Sequence, residues 1–427
     1  MPSLKLGGLA TRRRSTWRDE GKPMVRFSAA LLLAILPLAA SAYSRPATSD
    51  AHYLFVWAGD QAKQGNDFLA VIDANPVSPT YGKLMTSVGT NVKSVRPHHT
   101  EYQMPASGML FANDHDGNQT TIIDLREPLR PRETTSFGSM AGYSMAHSFL
   151  RLPNGHVLAS FQFADKDGSM AMNAKTGGLV EIDDGGKVIR SASNADPAFT
   201  EEGLLPYSLV VLPKIDRVLV TNSPMGDAYL LTSNTYQVFR LTNLKLLGTY
   251  RFDPGPNLHA NIDPEEPRVG PDGAVFVQTL SCAVQRVTGL DSPRPTARFV
   301  HQFPGEDCGV PTIVGHYLVQ SVPAIHGYVV LDVANGSKPV EVSRLTISSD
   351  YAPHWTGWDA KSHRLVITSK QKEDRMFLLK LDDATGALSI DTAFCDTDGK
   401  IGFSFAGRAW PHGWTGDGQP HGAVFSR

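Results

Sequence analysis

Along most of the chain, apolar and polar residues alternate over short runs, and turn residues close each run. Long runs with helical spacing are scarce, so the period of two predicts an all-β protein. One kind of segment reads as strand, turn and returning strand, at 68–88, 120–137, 177–193, 236–252, 282–303, 327–345 and 377–394. Equivalent first-strand positions are Asp73, Asp124, Asp183, Leu241, Val287, Asp332 and Asp382, spaced 51, 59, 58, 46, 45 and 50 residues apart. A hairpin alternates with these segments, as at 151–161, 211–223, 270–280 and 359–369, with Pro-Asn-Gly or Pro-Asp-Gly turns in two of them. Each repeat is therefore about four strands, and seven such repeats predict a seven-bladed β-propeller. A lone blade cannot bury both faces, so residues 43–427 are expected to form one domain, the segment 421–427 closing the ring against 52–59.

A short segment opens each repeat: PHH (97–99), AHS (146–148), PYS (206–208), LHA (258–260), VPT (310–312), PHW (353–355) and PHG (411–413). Inner strands of a propeller line its central channel, so these positions should converge at one mouth. Five of the seven carry histidine: His98 with His99, His147, His259, His354 and His412. A lone histidine is usually an ordinary surface or hydrogen-bonded residue. Five at equivalent positions predict a shared metal site, and imidazole suits copper, iron or zinc. Strand side chains alternate, so one of His98 and His99 should face the axis while its neighbour orients it or meets substrate. Glu101 is a candidate to hold an imidazole tautomer. Tyr207, Trp355 and Trp410 are candidates for a pocket wall. His52, His115, His156, His301, His316 and His363 fall outside the register and read as ordinary.

Composition narrows the partners. A net charge of −2 over 427 residues leaves no basic footprint for nucleic acid. Met24-Val25-Arg26, the apolar run Ala29 to Leu38 and Ala40-Ser41-Ala42 have the order of a secretory signal. Residues 1–42 are thus expected to be a signal peptide with an over-long start, cleaved near Ala42. The mature protein is expected in the periplasm or outside the cell, with no membrane anchor after cleavage. Among three cysteines, Cys282 and Cys308 are the expected pair if a disulfide forms. No nucleotide-binding loop, dinucleotide fingerprint or G-x-S-x-G elbow is present.

At its histidine segments the sequence resembles the selenium-binding protein family, which includes methanethiol oxidases. FLAVIDANPVSPTYGKL (68–84) is similar to a D-F-L-A-x-x-D-x-[DN]-P-x-S-P-x-Y segment of that family, and VRPHHTE (95–101) to its His-His-[ST] segment. AHSFLRLPNGHVLAS (146–160), IHGYVVLDVANGSKPVEVSRL (325–345) and HRLVITS (363–369) resemble further segments in the same order. The resemblance implies a seven-bladed propeller. It also implies a periplasmic copper enzyme turning methanethiol and dioxygen into formaldehyde, sulfide and hydrogen peroxide. By position, His99 with His98, His147 and His412 match the metal ligands, with His326 ranked lower. The cysteine-bearing segment of the family is absent, and its G-G-D-C…D-I-W ending is replaced by GDGQPHGAVFSR (416–427).

These observations leave three readings. The first is a copper oxidase of a small thiol such as methanethiol. The second is a non-catalytic metal-binding or protein-binding propeller. The third is a four-histidine iron oxygenase, which would need an apolar tunnel that no hydrophobic insert supplies.

Overall fold

The computed structural model describes residues 51–164, 175–200, 203–225, 233–256, 263–371 and 375–427. The signal-like segment and His259 lie outside the described residues. The remainder is an all-β, seven-bladed propeller with no α-helix among the described residues. Each blade is a four-stranded antiparallel sheet. From the channel outward, the blades begin with the inner strands Gly418–Phe425, Pro97–Thr100, Ser144–Arg151, Pro206–Leu212, Pro264–Val269, Thr312–Val314 and Pro353–Asp359, here blades 1 to 7. Blade 1 joins the two ends of the chain: Gly418–Phe425 pairs antiparallel with Tyr53–Asp60.

The burial pattern follows from the ring. Outer strands such as Arg132–Phe137 and Val188–Ser193 alternate between exposed and half-buried positions. Second strands such as Val157–Phe163 are buried throughout, because each of their faces meets a neighbouring blade. The core is accordingly seven separate apolar clusters, one per junction. Phe111 and Ile122 of blade 2 pack against Ala159 and Val180 of blade 3. The adjacent Leu110, Ala112 and Ile123 turn the other way, onto Phe55 and Leu69 of blade 1. The seventh cluster unites Leu54, Val56 and Phe68 of blade 1 with Val366 and Leu378 of blade 7, so apolar burial closes the circle.

Two features depart from regular blades. Residues 391–417 run between blade 7 and the closing strand and add Phe394, Phe403, Phe405 and Trp410 to the cluster of the last junction. Cys282 and Cys308 form a disulfide with Cα atoms 5.1 Å apart, while Cys395 is a free thiol.

Candidate metal centre

Six of the seven inner strands carry an extra residue at the same place. Between Pro97 and Thr100 blade 2 advances three residues while its partner strand advances two, from Asp114 to Ala112. The same one-residue excess lies at Ala146–Phe149, Pro206–Leu209, Pro264–Pro267, Pro353–Trp355 and Pro420–Ala423. Such a bulge breaks the alternation of a strand and re-aims side chains. Five of the six bulges begin at proline, which the inner edge tolerates because no further strand needs its N–H.

The bulges place two consecutive residues of a blade in the channel. His98, Tyr207, Glu265, His354 and His421 line a cavity of about 420 Å³ at the channel mouth. His99 and Glu266, each the second residue of its pair, meet beneath it. The expectation that only one of His98 and His99 faces the axis is therefore corrected. Their rings stack 4.1 Å apart, and both contact His147 and His421.

The cluster is tight. His98 Nε2 lies 3.0 Å from His147 Nε2, and His98 Nδ1 lies 3.0 Å from His421 Nε2. His99 Nδ1 is 3.9 Å from Glu266 Oε1. Two triads, His98/His99/His421 and His99/His147/Glu266, each present ligand atoms within 4.8 Å of one another. Both ring nitrogens of the fully buried His99 lack a hydrogen-bond partner, as does Glu266 Oε1. Buried polar atoms are almost always paired, so this concentration of unpaired lone pairs fits a cation held between them. The cluster of His98, His99, His147, His421 and Glu266 can hold a metal. His354 borders it, its ring 4.6 Å from that of His421 and its Nδ1 also unpartnered.

The protonation state is suited to ligation. Burial first, and neighbouring imidazoles next, hold His98 and His99 well below the ordinary histidine range; burial does the same to His147 and His354. His421 is pushed down to about 3, chiefly by burial. The rings are thus neutral near pH 7, the form that binds metals. Glu266 is oriented by three donors to one oxygen: Tyr102 Oη (2.7 Å), Ser208 Oγ (3.0 Å) and Arg268 Nη1 (3.1 Å) all reach Oε2. That leaves Oε1 turned to His99. Tyr102 in turn stacks on Trp355 and lies under the Arg268 guanidinium.

A recurring polar residue on the second strand fixes the bulges. Asn113 Oδ1 accepts from His99 N (2.7 Å), and its Nδ2 donates to Ala146 O of the next blade (2.5 Å). Ser160 Oγ accepts from Ser148 N and donates to Tyr207 O; Thr221 Oγ1 accepts from Ser208 N and donates to Glu265 O. Thr368 Oγ1 donates to His421 O in the same way. Neighbouring ligand-bearing bulges are thereby bolted together, blade to blade.

Of the other candidate residues, Tyr207 lies with its ring 3.8 Å from His147, and Trp355 packs on His99 with 5.2 Å between centroids. Glu101 does not hold an imidazole. It pairs with Arg151 at 2.9 Å, and burial lifts its carboxyl to about 8. It lines a second cavity of about 430 Å³, at the other end of the inner strands, whose wall includes Phe149 and Leu209. His412 does not reach the channel. Its Nδ1 meets Ser87 Oγ at 2.7 Å, and its ring lies on Phe68, outside the inner ring. Trp410 likewise packs on Phe68 and Phe405, in the apolar cluster rather than at a pocket. His326 caps a short turn, its Nδ1 3.1 Å from Tyr351 O. The register reasoning missed His421 and Glu266. The signal was a proline opening the pair: Pro420-His421-Gly422 and Pro264-Glu265-Glu266 have it, whereas Leu258-His259-Ala260 does not.

No known family profile matches the chain, and no curated protein sequence matches it. Solved structures do. A hypothetical selenium-binding protein from Sulfolobus tokodaii superposes with a TM-score of 0.69 at 15% identity, covering 88% of this chain and 93% of that one. A periplasmic gluconolactonase from Pseudomonas aeruginosa gives 0.59 at 13%, covering 88% and 99%. At these identities the likeness is one of fold.

Proposed function

We propose that the protein is an exported copper-dependent oxidase of a small thiol. The carrying observation is His99, fully buried with both ring nitrogens unpartnered, at the centre of three further imidazoles and a carboxylate. A ligand set dominated by imidazole suits copper. The segments that resemble the selenium-binding family support the thiol oxidase over other copper chemistry, and the fold likeness to a selenium-binding protein structure agrees with the propeller that the resemblance implies. The Cys282–Cys308 disulfide supports export to an oxidising compartment.

In the reaction, one alkanethiol, one dioxygen and one water give one aldehyde, one hydrogen sulfide and one hydrogen peroxide. The carbon–sulfur bond breaks, the thiol carbon is oxidised to the carbonyl, and dioxygen is reduced to peroxide. Copper, when bound, supplies the electron transfer between thiol and dioxygen. His98, His99, His147, His421 and Glu266 hold it, and His354 stands beside it at the cavity. The chain's own part is positional. Tyr102, Ser208 and Arg268 keep Glu266 in place, the bulge bolts fix the imidazoles, and the mouth cavity admits the thiol next to His98, His354 and His421. The partner is a small molecule; neither nucleic acid nor a membrane surface takes part.

Elemental analysis of the purified protein tests the reading, together with sulfide and peroxide release from methanethiol. One copper per chain and equimolar sulfide and peroxide are expected, and His99→Ala should lose both. Copper binding with no turnover of any thiol would transfer the site to a non-catalytic metal-binding propeller. Failure to bind copper at all would overturn the metal centre.

A further inference from the structure

The mouth cavity contains more charge than a site for an uncharged thiol needs. Besides the imidazoles and Tyr207, its lining includes Lys63, Arg96 and Lys370. Arg96 stands two residues before His98, and its backbone N–H donates to Asp114 Oδ1 at 2.9 Å, which fixes where its side chain leaves the strand. Lys370 follows the second strand of blade 7, beside His354 and His421. Each has an acidic partner on the same lining: Asp307, 2.5 Å from Lys370, is 54% exposed, and Asp116 is 3.4 Å from Arg96 and held by His115. Lys63 has no ion-pair partner among the described residues. The remaining acid of the lining, Glu265, is tied at Oε2 by Gln278 Nε2, which is itself anchored on Cys308 O.

Lys63, Arg96 and Lys370 line the same cavity as His98, His354 and His421, and cations set in a concave mouth concentrate anions. The cavity at the opposite end differs. Its wall sets Arg151, Arg268 and Arg427 beside Phe149, Leu150, Leu209 and Val210, and no histidine lines it.

We infer that the mouth cavity is a binding site for a small thiol bearing a carboxylate, its anionic group held between Arg96 and Lys370 and its sulfur directed at His98, His354 and His421. Guanidinium and ammonium on the lining of a site some 420 Å³ in volume suit a mercaptocarboxylate of two to four carbons better than a bare alkanethiol. This deepens the oxidase reading and rests on it for the role of the sulfur; recognition of the carboxylate does not require the metal.

Binding of mercaptoacetate and 2-mercaptoethanol, similar in size and different in charge, tests the inference on the full chain. Calorimetry is run on both the copper-loaded and the metal-free protein. Mercaptoacetate should bind about tenfold tighter at low salt, and raising the ionic strength should erode that preference. Arg96→Gln/Lys370→Gln should reduce it to less than about twofold, while Arg96→Lys should retain most of it. Arg126→Gln, on the outer face of blade 2, should leave it unchanged. Equal affinity for the two thiols in the unmodified protein would overturn the inference, as would a preference that survives the double substitution. If the preference holds while neither thiol is oxidised and no copper binds, the anion site stands and the oxidase reading alone falls.

Discussion

The chain contains Pro-His-Gly twice, at 411–413 and again nine residues later at 420–422, and the two copies meet opposite fates. The first is a turn. Trp410 N donates to Trp414 O and Gly413 N to Trp410 O, with Gly413 at a φ of 93° that favours glycine. Its histidine is left on the outside of blade 1. The second is a bulge in a strand. Ala423, Val424 and Phe425 come next and pair with Val56, Phe55 and Leu54, and this apolar register fixes Pro420 against Ala58. Its histidine is turned into the channel. Gly422 permits the fit, since a Cβ there would sit 2.6 Å from Thr100 N. A tripeptide thus has no structural meaning of its own. The residues after it, a turn sequence or an apolar run, decide whether its imidazole can become a ligand.

The sharpest way to break this comparison is to remove the second histidine. His421→Ala takes a nitrogen 3.0 Å from His98 out of the cluster. Loss of an outer-sphere partner lowers metal affinity by roughly 10–100-fold, and loss of a ligand should exceed about 100-fold. Competitive copper titration measures it. Retention of native affinity would exclude His421 from the ligand set.

The seven repeats were legible because a blade needs four short strands with turns, and that requirement is written in local alternation. The closure of 421–427 on 52–59 was legible for the same reason. The repeat led to His98, His99 and His147 of the cluster, and to His354, which borders it. It did not lead to Glu266 and His421, because finding them takes the register of the inner strand, which a bulge shifts by one residue. His412 was misleading because it satisfies the motif while standing in a 27-residue passage, 391–417, that belongs to no blade. Glu101 was assigned by its nearness to His99. The strand leads it instead to the far end of the channel, where Arg151 is its nearer partner.

If bulges rather than tripeptides make the site, loosening a bulge should damage it without touching a ligand. Asn113→Ala leaves His99 N and Ala146 O without their buried partner. Each orphaned group costs about 1–3 kcal/mol, so a loss of roughly 2–6 kcal/mol in unfolding free energy is expected. The copper spectrum should broaden as the imidazoles of blades 2 and 3 lose their fixed spacing. An unchanged spectrum with reduced stability would make Asn113 a fold residue only.

Proton linkage sharpens the contrast further. The buried imidazoles have folded-state pKa values below the unfolded value, His421 at about 3 against 6.5. Below pH 6.5 the unfolded chain takes up protons that the folded chain refuses. Stability of the metal-free protein is therefore complete above about pH 6.5 and is lost as pH falls toward 3. Each such histidine contributes up to about 1.4 kcal/mol per pH unit. Urea midpoints measured between pH 7.5 and 4.5 should fall steeply, and His421→Ala should flatten the slope by about one proton. No change of slope in that variant would mean that His421 is protonated in the fold.

The smallest effect belongs to the first copy. His412 is half-buried, hydrogen-bonded to Ser87 and packed on Phe68 and Trp414. His412→Ala removes one hydrogen bond and part of a ring contact, worth about 1 kcal/mol in unfolding free energy. Because its ring lies behind the outer strand of blade 1, copper affinity should stay within about twofold of the unmodified protein, a factor worth less than roughly 0.5 kcal/mol. The same titration used for His421→Ala reads this out. If His412→Ala lost copper as His421→Ala does, motif rather than register would govern the site, and the assignment of the channel ligands would have to be redrawn around blade 1.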